Sequence, residues 1–189
     1  MPILAAMVAE SAVHATIDLV QGDITRSDTT AIANAANSML MGGGGVDGAI
    51  HRAAGPELLE ALRAIKHKLE GGMLPTGQAV LTPGFRLRAK YVVHCVGPIY
   101  EREGERAPEL LASCYEHALR LCAEHDVDSI SFPSISTGVY GYPLAEAAPI
   151  ALRAVRAALR RAPCVKLARF VLFDERTLSA YRAAAREAL

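Results

Sequence analysis

The stretch that decides the fold runs Thr30-Ala-Ile-Ala-Asn34-Ala-Ala-Asn37-Ser-Met-Leu-Met-Gly42-Gly-Gly-Gly45-Val46-Asp47-Gly48. Thr30–Ala35 is short and apolar, the pattern of a central strand covered on both faces. The glycine run breaks it, and a helix is expected over Asp47–Leu69. Pro56 divides that helix into two pieces meeting at Gly55-Pro56. Strand, glycine loop and helix in succession form the unit from which α/β sheets are built.

The same alternation extends to both sides. Thr16–Val20 alternates polar and apolar residues like a half-buried strand, and Gly22-Asp23-Ile24-Thr25 ends it. After a turn over Gly71–Gly77, Ala79–Leu81 and Tyr91–Val96 read as strands joined by a polar connection. Pro108 opens a helix with apolar residues at Leu111, Cys114, Tyr115, Ala118 and Cys122, one helical face. Ser129–Phe132 is a short strand. It leads into a second glycine-flanked loop, Pro133-Ser-Ile-Ser136-Thr137-Gly138-Val139-Tyr140-Gly141-Tyr-Pro143. A helix from Pro143 is expected to bury Leu144, Ala148, Ala151, Leu152, Val155 and Leu159. Arg169–Phe173 is the last strand and Arg176–Leu189 the last helix. The chain thus predicts an α/β sandwich, a mixed sheet with helices on both faces.

Composition narrows the function. At 189 residues, 51% hydrophobic and 21% charged, the chain suits one folded domain with a sizeable core. The formal net charge is zero, aromatics are 5% and there is no Trp, which argues against a broad nucleic-acid footprint. Cys95, Cys114, Cys122 and Cys164 form no C-x-x-C pair, so they read as reduced, buried thiols of a cytoplasmic protein. Their spacing lacks the paired ligands of a zinc site, and neither a metal nor a cofactor is expected. No apolar run reaches membrane-spanning length. Met1–His14 is apolar without Lys or Arg, unlike the charged start of a signal peptide. It reads as an N-terminal arm before a single domain over residues 15–189.

The two loops carry the chemistry. Each offers closely spaced backbone N–H groups, which suits an anionic, phosphate-bearing ligand. Gly43-x-Gly45-x-x-Gly48 matches the dinucleotide fingerprint by spacing alone. Asn37–Met41 intervenes after the strand, and no acid-terminated strand follows the helix, so that reading is rejected. Asp47 is either a cap for the following helix or a carboxylate that orients water or a ribose hydroxyl. Asn37 is either a turn residue or an amide that gives and accepts one hydrogen bond each with a hydroxyl. Tyr140 is a surface aromatic or a cover for a sugar. His51, one turn beyond Asp47, is a packing residue or a weaker catalytic candidate.

Taken in series, these segments resemble the MacroD-type macrodomain family. The resemblance rests on Gly22-Asp23-Ile24-Thr25, on Asn34-Ala-Ala-Asn37, on Gly42–Asp47 with Gly48-Ala-Ile-His51-Arg-Ala-Ala-Gly55, and on Ser134–Pro143. It implies a three-layer α/β/α sandwich with a mixed, roughly six-stranded sheet and an ADP-ribose cleft at the strand ends. Asp23 would accept from the adenine amino group, with the Ile24 backbone beside it. Phe173 matches an aromatic position near the adenine, where stacking contributes about 1–3 kcal/mol. Gly44, Gly45 and Val46, with Ser136, Thr137, Gly138, Val139 and Tyr140, would wrap the diphosphate and distal ribose. Asn37 and Asp47 match the family's catalytic pair.

The implied reaction is ester hydrolysis at the distal ribose, without metal or cofactor. The implied substrates are O-acetyl-ADP-ribose and proteins carrying mono-ADP-ribose on acidic side chains. Two other functions fit the same cleft: a reader of ADP-ribose marks without turnover, and a phosphatase acting on ADP-ribose 1″-phosphate.

Overall fold

Six strands form one sheet in the order β1-β6-β5-β2-β4-β3. The computed structural model describes residues 15–188, so the arm expected over residues 1–14 lies outside the described residues. The strands are β1 (Thr16–Gln21), β2 (Ala31–Ala36), β3 (Ala79–Pro83), β4 (Tyr91–Val96), β5 (Ser129–Phe132) and β6 (Leu167–Leu172). Between and after them come α1 (Gly45–Ala54), α2 (Glu57–Lys66), the short α3 (Tyr100–Glu103), α4 (Ala107–Glu124), α5 (Leu144–Leu159) and α6 (Glu175–Ala188). All neighbouring strands are parallel except β3, which runs antiparallel to β4 at the edge. The sheet is mixed and six-stranded, as the resemblance implied.

Strand alternation divides the core in two. Ala31 and Ala33 of β2 face the cluster that holds Leu111, Tyr115, Leu152 and Tyr181 of α4, α5 and α6. Ile32 and Ala36 face the opposite cluster, with Ile50 of α1 and Leu58 and Leu62 of α2. The result is three layers, α4–α6 on one face and α1–α2 on the other. The chain leaves β2 toward the α1 face and leaves neighbouring β5 toward the α5 face. Two adjacent parallel strands whose connections diverge open a crevice at their carboxyl ends, where such sheets bind ligands. The ends of β1, β2, β4, β5 and β6 all lie along that edge, so parallel pairing gathers segments far apart in sequence.

Local boundaries differ from expectation for identifiable reasons. The first helix starts at Gly45, two residues early, and ends at Ala54 because Gly55 adopts φ 89° before Pro56. Its second piece stops at Lys66, short of Leu69, and Gly71 and Gly72 follow with φ of 63° and 65°. The half-buried Leu144 and Leu159 mark the two ends of α5, where the stripe runs out of covering residues. The last strand ends at Leu172, which leaves Phe173 just beyond it. α3 was not anticipated, because four residues show no helical period.

The thiols are placed as their composition suggested. Cys95, Cys114 and Cys122 are buried, Cys164 is half-buried, and all four are free. Burial pushes Cys114 and Cys122 up to about 12, which leaves them as unreactive thiols. Among the described residues no helix is long and apolar enough to cross a membrane.

Candidate functional site

Asp47 does not cap its helix. Gly44 occupies the cap position without a side-chain bond, and Asp47 is the third residue of α1. Its carboxylate turns inward and is nearly buried, at 5% exposure. Oδ1 accepts from Asn34 Nδ2 at 2.7 Å. His51 Nε2 stands 3.4 Å from the same oxygen, close in distance but off-line, so that nitrogen has no hydrogen bond among the described residues. Oδ2 points the other way, toward the glycine loop. A Cβ on Gly43 would lie 3.2 Å from Asp47 Oδ2 and 3.7 Å from Asn37 Nδ2. The two candidate residues therefore flank one small space, and the missing side chain of Gly43 keeps it open.

Asn37 is pinned by its own loop. Its Nδ2 donates to the Gly42 carbonyl at 2.9 Å, and Gly42 itself needs φ 79° against the His51 ring. Asn37 Oδ1 is buried without a hydrogen-bond partner among the described residues. Such an atom is rare in folded proteins and marks a place where a ligand or water would bind. Behind the loop, the N–H groups of Gly45, Val46 and Asp47 form the first turn of α1 and have no intrahelical acceptor. Gly43, Gly44 and Gly45 are exposed, so this positive helix end faces outward.

The second loop is braced from three sides. Tyr115 of α4 accepts from the Ile135 N–H at 3.3 Å, and Tyr181 of α6 donates to Ser134 Oγ at 3.1 Å. Tyr100 of α3 donates its N–H to the Tyr140 carbonyl at 3.0 Å. Beneath lie rings packed edge-on and tilted: Tyr115, Phe132, Phe170 and Tyr181 have successive centroid separations of 5.3, 5.6 and 5.0 Å. On this base Ser136 holds φ 66°, a strained value for a non-glycine residue. Its buried Oγ also lacks a partner among the described residues. Gly138 and Val139 protrude, with Val139 wholly exposed, so only their backbone can serve a ligand at the cleft. Burial first, and the Asp47 carboxylate second, push the Tyr140 phenol above its ordinary value.

Gly97, at the end of β4, is the floor under this loop. A Cβ there would collide with Ser136 Oγ and come within 2.6 Å of Ile135 Cγ2. Overpacking of this kind costs about 1–3 kcal/mol. Gly97→Ala should lower the thermal midpoint by at least about 3 °C. Circular dichroism melting reads this directly, and an unchanged midpoint would show that the loop does not press on Gly97.

At the far end of the edge, Asp23 caps a single turn over Ile24–Arg26. Its Oδ1 accepts from the Thr25 hydroxyl at 2.7 Å and the Thr25 N–H at 2.9 Å. These bonds, the hydroxyl first, hold the carboxyl below its usual range, and Arg26 adds to the effect. Asp23 is exposed, so it presents an ionised acceptor to solvent, while Ile24 is buried beneath it. Phe173 is 84% exposed at the end of the neighbouring strand, a large apolar face left open among the described residues.

The family follows from comparison with known proteins. The Macro domain model matches residues 33–151, the stretch from β2 into α5. The chain belongs to the macrodomain family. An O-acetyl-ADP-ribose deacetylase of Cronobacter turicensis is 49% identical to this macrodomain over 166 residues, 88% of this chain and 93% of the relative. Among solved structures, a mutant of the Oceanobacillus iheyensis macrodomain with ADPR superposes with a TM-score of 0.88 and 48% identity. That match covers 92% of this chain and 93% of the other. The Trypanosoma brucei macrodomain in complex with ADP-ribose gives a TM-score of 0.78 and 40% identity, covering 89% of this chain and 68% of that one.

The macrodomain thus brings Asn37, Asp47, Gly44–Val46 and Ser136–Tyr140 to the crevice between β2 and β5. Asp23, Ile24 and Phe173 sit at the β1–β6 end of the same edge. Sequence reasoning assigned no role to Asn34, His94 or Thr82, which lie beneath Asp47. His94 Nδ1 is 3.1 Å from Asn34 Nδ2, and His94 Nε2 is 2.9 Å from Thr82 Oγ1. A histidine amid the apolar residues of Tyr91–Val96 was the available clue.

Full burial holds His94 down to about 3, against an opposing pull from Asp47 and a smaller push from His51. The imidazole is neutral in the fold, whereas in the unfolded chain it protonates near its ordinary value of 6.5. The unfolded state is then the proton-binding one, so stability is complete above about pH 6.5 and is lost as the pH falls toward 3. His94→Asn, which cannot titrate, should show a shallower loss. Urea titrations at pH 7 and pH 5 should differ by less in the variant. Equal differences would mean that His94 is not buried neutral.

Proposed function

We propose that this macrodomain is a MacroD-type hydrolase. It binds ADP-ribose and cleaves ester bonds at the distal ribose. The observation that supports this most is the pairing of Asp47 Oδ2 and Asn37 around the open side of Gly43. A reader of ADP-ribose needs no carboxylate held beside a free space of this size.

The first turn of α1 and the Ser136–Tyr140 loop take the diphosphate between them through backbone N–H groups. Asp23 accepts from the adenine amino group, and Phe173 offers its exposed face to the ring. Asn37 Oδ1 accepts from a ribose hydroxyl, and Tyr140 covers the sugar. Asp47 Oδ2 accepts a proton from water as the water oxygen attacks the acyl carbon. The tetrahedral intermediate then collapses, the acyl–oxygen bond breaks, and the ribose oxygen takes the proton back. O-acetyl-ADP-ribose and water become ADP-ribose and acetate; a mono-ADP-ribosylated glutamate or aspartate becomes a free side chain and ADP-ribose. A carboxylate is a weak base, so positioning of an already activated ester supplies much of the rate.

Hydrolysis of O-acetyl-ADP-ribose in ¹⁸O-water tests this route. The label should enter acetate, and label in ADP-ribose would place the attack on the sugar and contradict the role given to Asp47. Asp23→Ala tests the orientation. It should weaken ADP-ribose binding by about tenfold, or ~1.4 kcal/mol, in a calorimetric titration, with kcat changed less than about threefold. Unaltered binding would mean that adenine lies elsewhere.

A further inference from the structure

We propose that His94, backed by Thr82, is a positioning residue for the reaction: through Asn34 it sets which oxygen of Asp47 faces the substrate. This rests on the catalytic role given to Asp47 above. The geometry is a buried polar row across three strands. Thr82 lies on β3 and His94 on β4, and Asn34 on β2 is in direct register with His94. All three side chains are 0–1% exposed, on a face otherwise made of Ile32, Val92, Val96, Ile50 and Leu58. The row ends on Asp47, with steps of 2.9, 3.1 and 2.7 Å.

The direction of the row follows from its last member. A carboxylate only accepts, so Asn34 must present its NH₂ group to Asp47 Oδ1. The second N–H of that group points at His94 Nδ1, which must then be a bare acceptor. The ring proton is therefore on Nε2 and is donated to Thr82 Oγ1. If Nδ1 carried a proton, two donors would meet. The Asn34 amide would turn and set its carbonyl oxygen against the Asp47 carboxylate. The charged or titratable groups near the ring are Asp47 and His51, both from α1. Burial keeps the imidazole neutral, so the sense of the row holds across the working pH range. With Oδ1 tied to Asn34, Oδ2 is left for the space beside Gly43.

A row that only satisfied buried groups would serve stability and leave the chemical step alone. The test separates the two. His94→Leu removes the acceptor, whereas His94→Asn keeps an oxygen near the Nδ1 position. On O-acetyl-ADP-ribose, His94→Leu should lower kcat at least about tenfold, with the ADP-ribose Kd within about threefold. His94→Asn should recover most of that loss. Thr82→Val perturbs packing least; it should lower kcat a few-fold at unchanged Kd, and it serves if the leucine variant does not fold. In the wild type, ¹⁵N spectra should show His94 neutral with its proton on Nε2 from pH 8 to pH 5. A proton on Nδ1 overturns the proposal, as does an unchanged kcat in both His94→Leu and Thr82→Val beside an active wild type. Absence of turnover by the wild type removes the hydrolase reading itself, and the two failures are thereby distinct.

Discussion

Asp47→Ala should lower the turnover of O-acetyl-ADP-ribose by at least about a hundredfold while ADP-ribose affinity changes by less than about tenfold. The split follows from which atoms the carboxylate touches. Oδ1 is spent inside the protein on Asn34, and Oδ2 faces a space beside Gly43 rather than the free N–H groups at the start of α1. Removing the side chain takes away the proton acceptor and leaves the backbone N–H groups of the loop in place. It also leaves one of the two Asn34 Nδ2 N–H groups without its acceptor, so part of the loss will appear as stability, on the order of 1–3 kcal/mol. Thermal melting beside the kinetics separates these two effects. Equal losses of affinity and turnover would make Asp47 a binding or folding residue.

Gly43→Val should be nearly as damaging to turnover, for a steric reason. The glycine is outside the left-handed region, so its backbone accepts a side chain, unlike Gly42 and Gly45 with φ of 79° and 56°. The new Cβ would stand 3.2 Å from Asp47 Oδ2 and 3.7 Å from Asn37 Nδ2, and the two γ carbons would fill the gap between them. Displacing a reacting atom by about 1 Å costs about a hundredfold in rate, and that loss in kcat is the expected result. Gly43 is exposed, so the thermal midpoint should stay within about 3 °C. A fully active Gly43→Val would mean that the reacting water or ester does not pass between Asn37 and Asp47.

The local units of this fold were legible, and their assembly was less so. The apolar run at β2, the glycines after it and the break at Gly55-Pro56 each obey short-range rules, so strand, loop and paired helices were found within three residues. The pairing of β1 with β6, 151 residues apart at Asp18 and Arg169, obeys no local rule. Neither the local patterns nor the family resemblance named it. The candidate site divided along the same line. Asn37 and Asp47 announced themselves by motif, yet the atoms that tell capping from chemistry do not. Asn34 lay inside a quoted motif without a role, because its partners, Asp47 and His94, are 13 and 60 residues away. Ser136 was named as part of the second loop, but its φ of 66° is held in a loop braced from α3, α4 and α6.

Release of ADP-ribose from O-acetyl-ADP-ribose, followed by mass-resolved chromatography, tests the central claim most directly when wild type is compared with Asn37→Ala/Asp47→Ala. The account predicts turnover by the wild type that vanishes in the double variant, with both proteins folded and both still binding ADP-ribose. A wild type that binds ADP-ribose but releases none from the ester, or a double variant as active as the wild type, would contradict it.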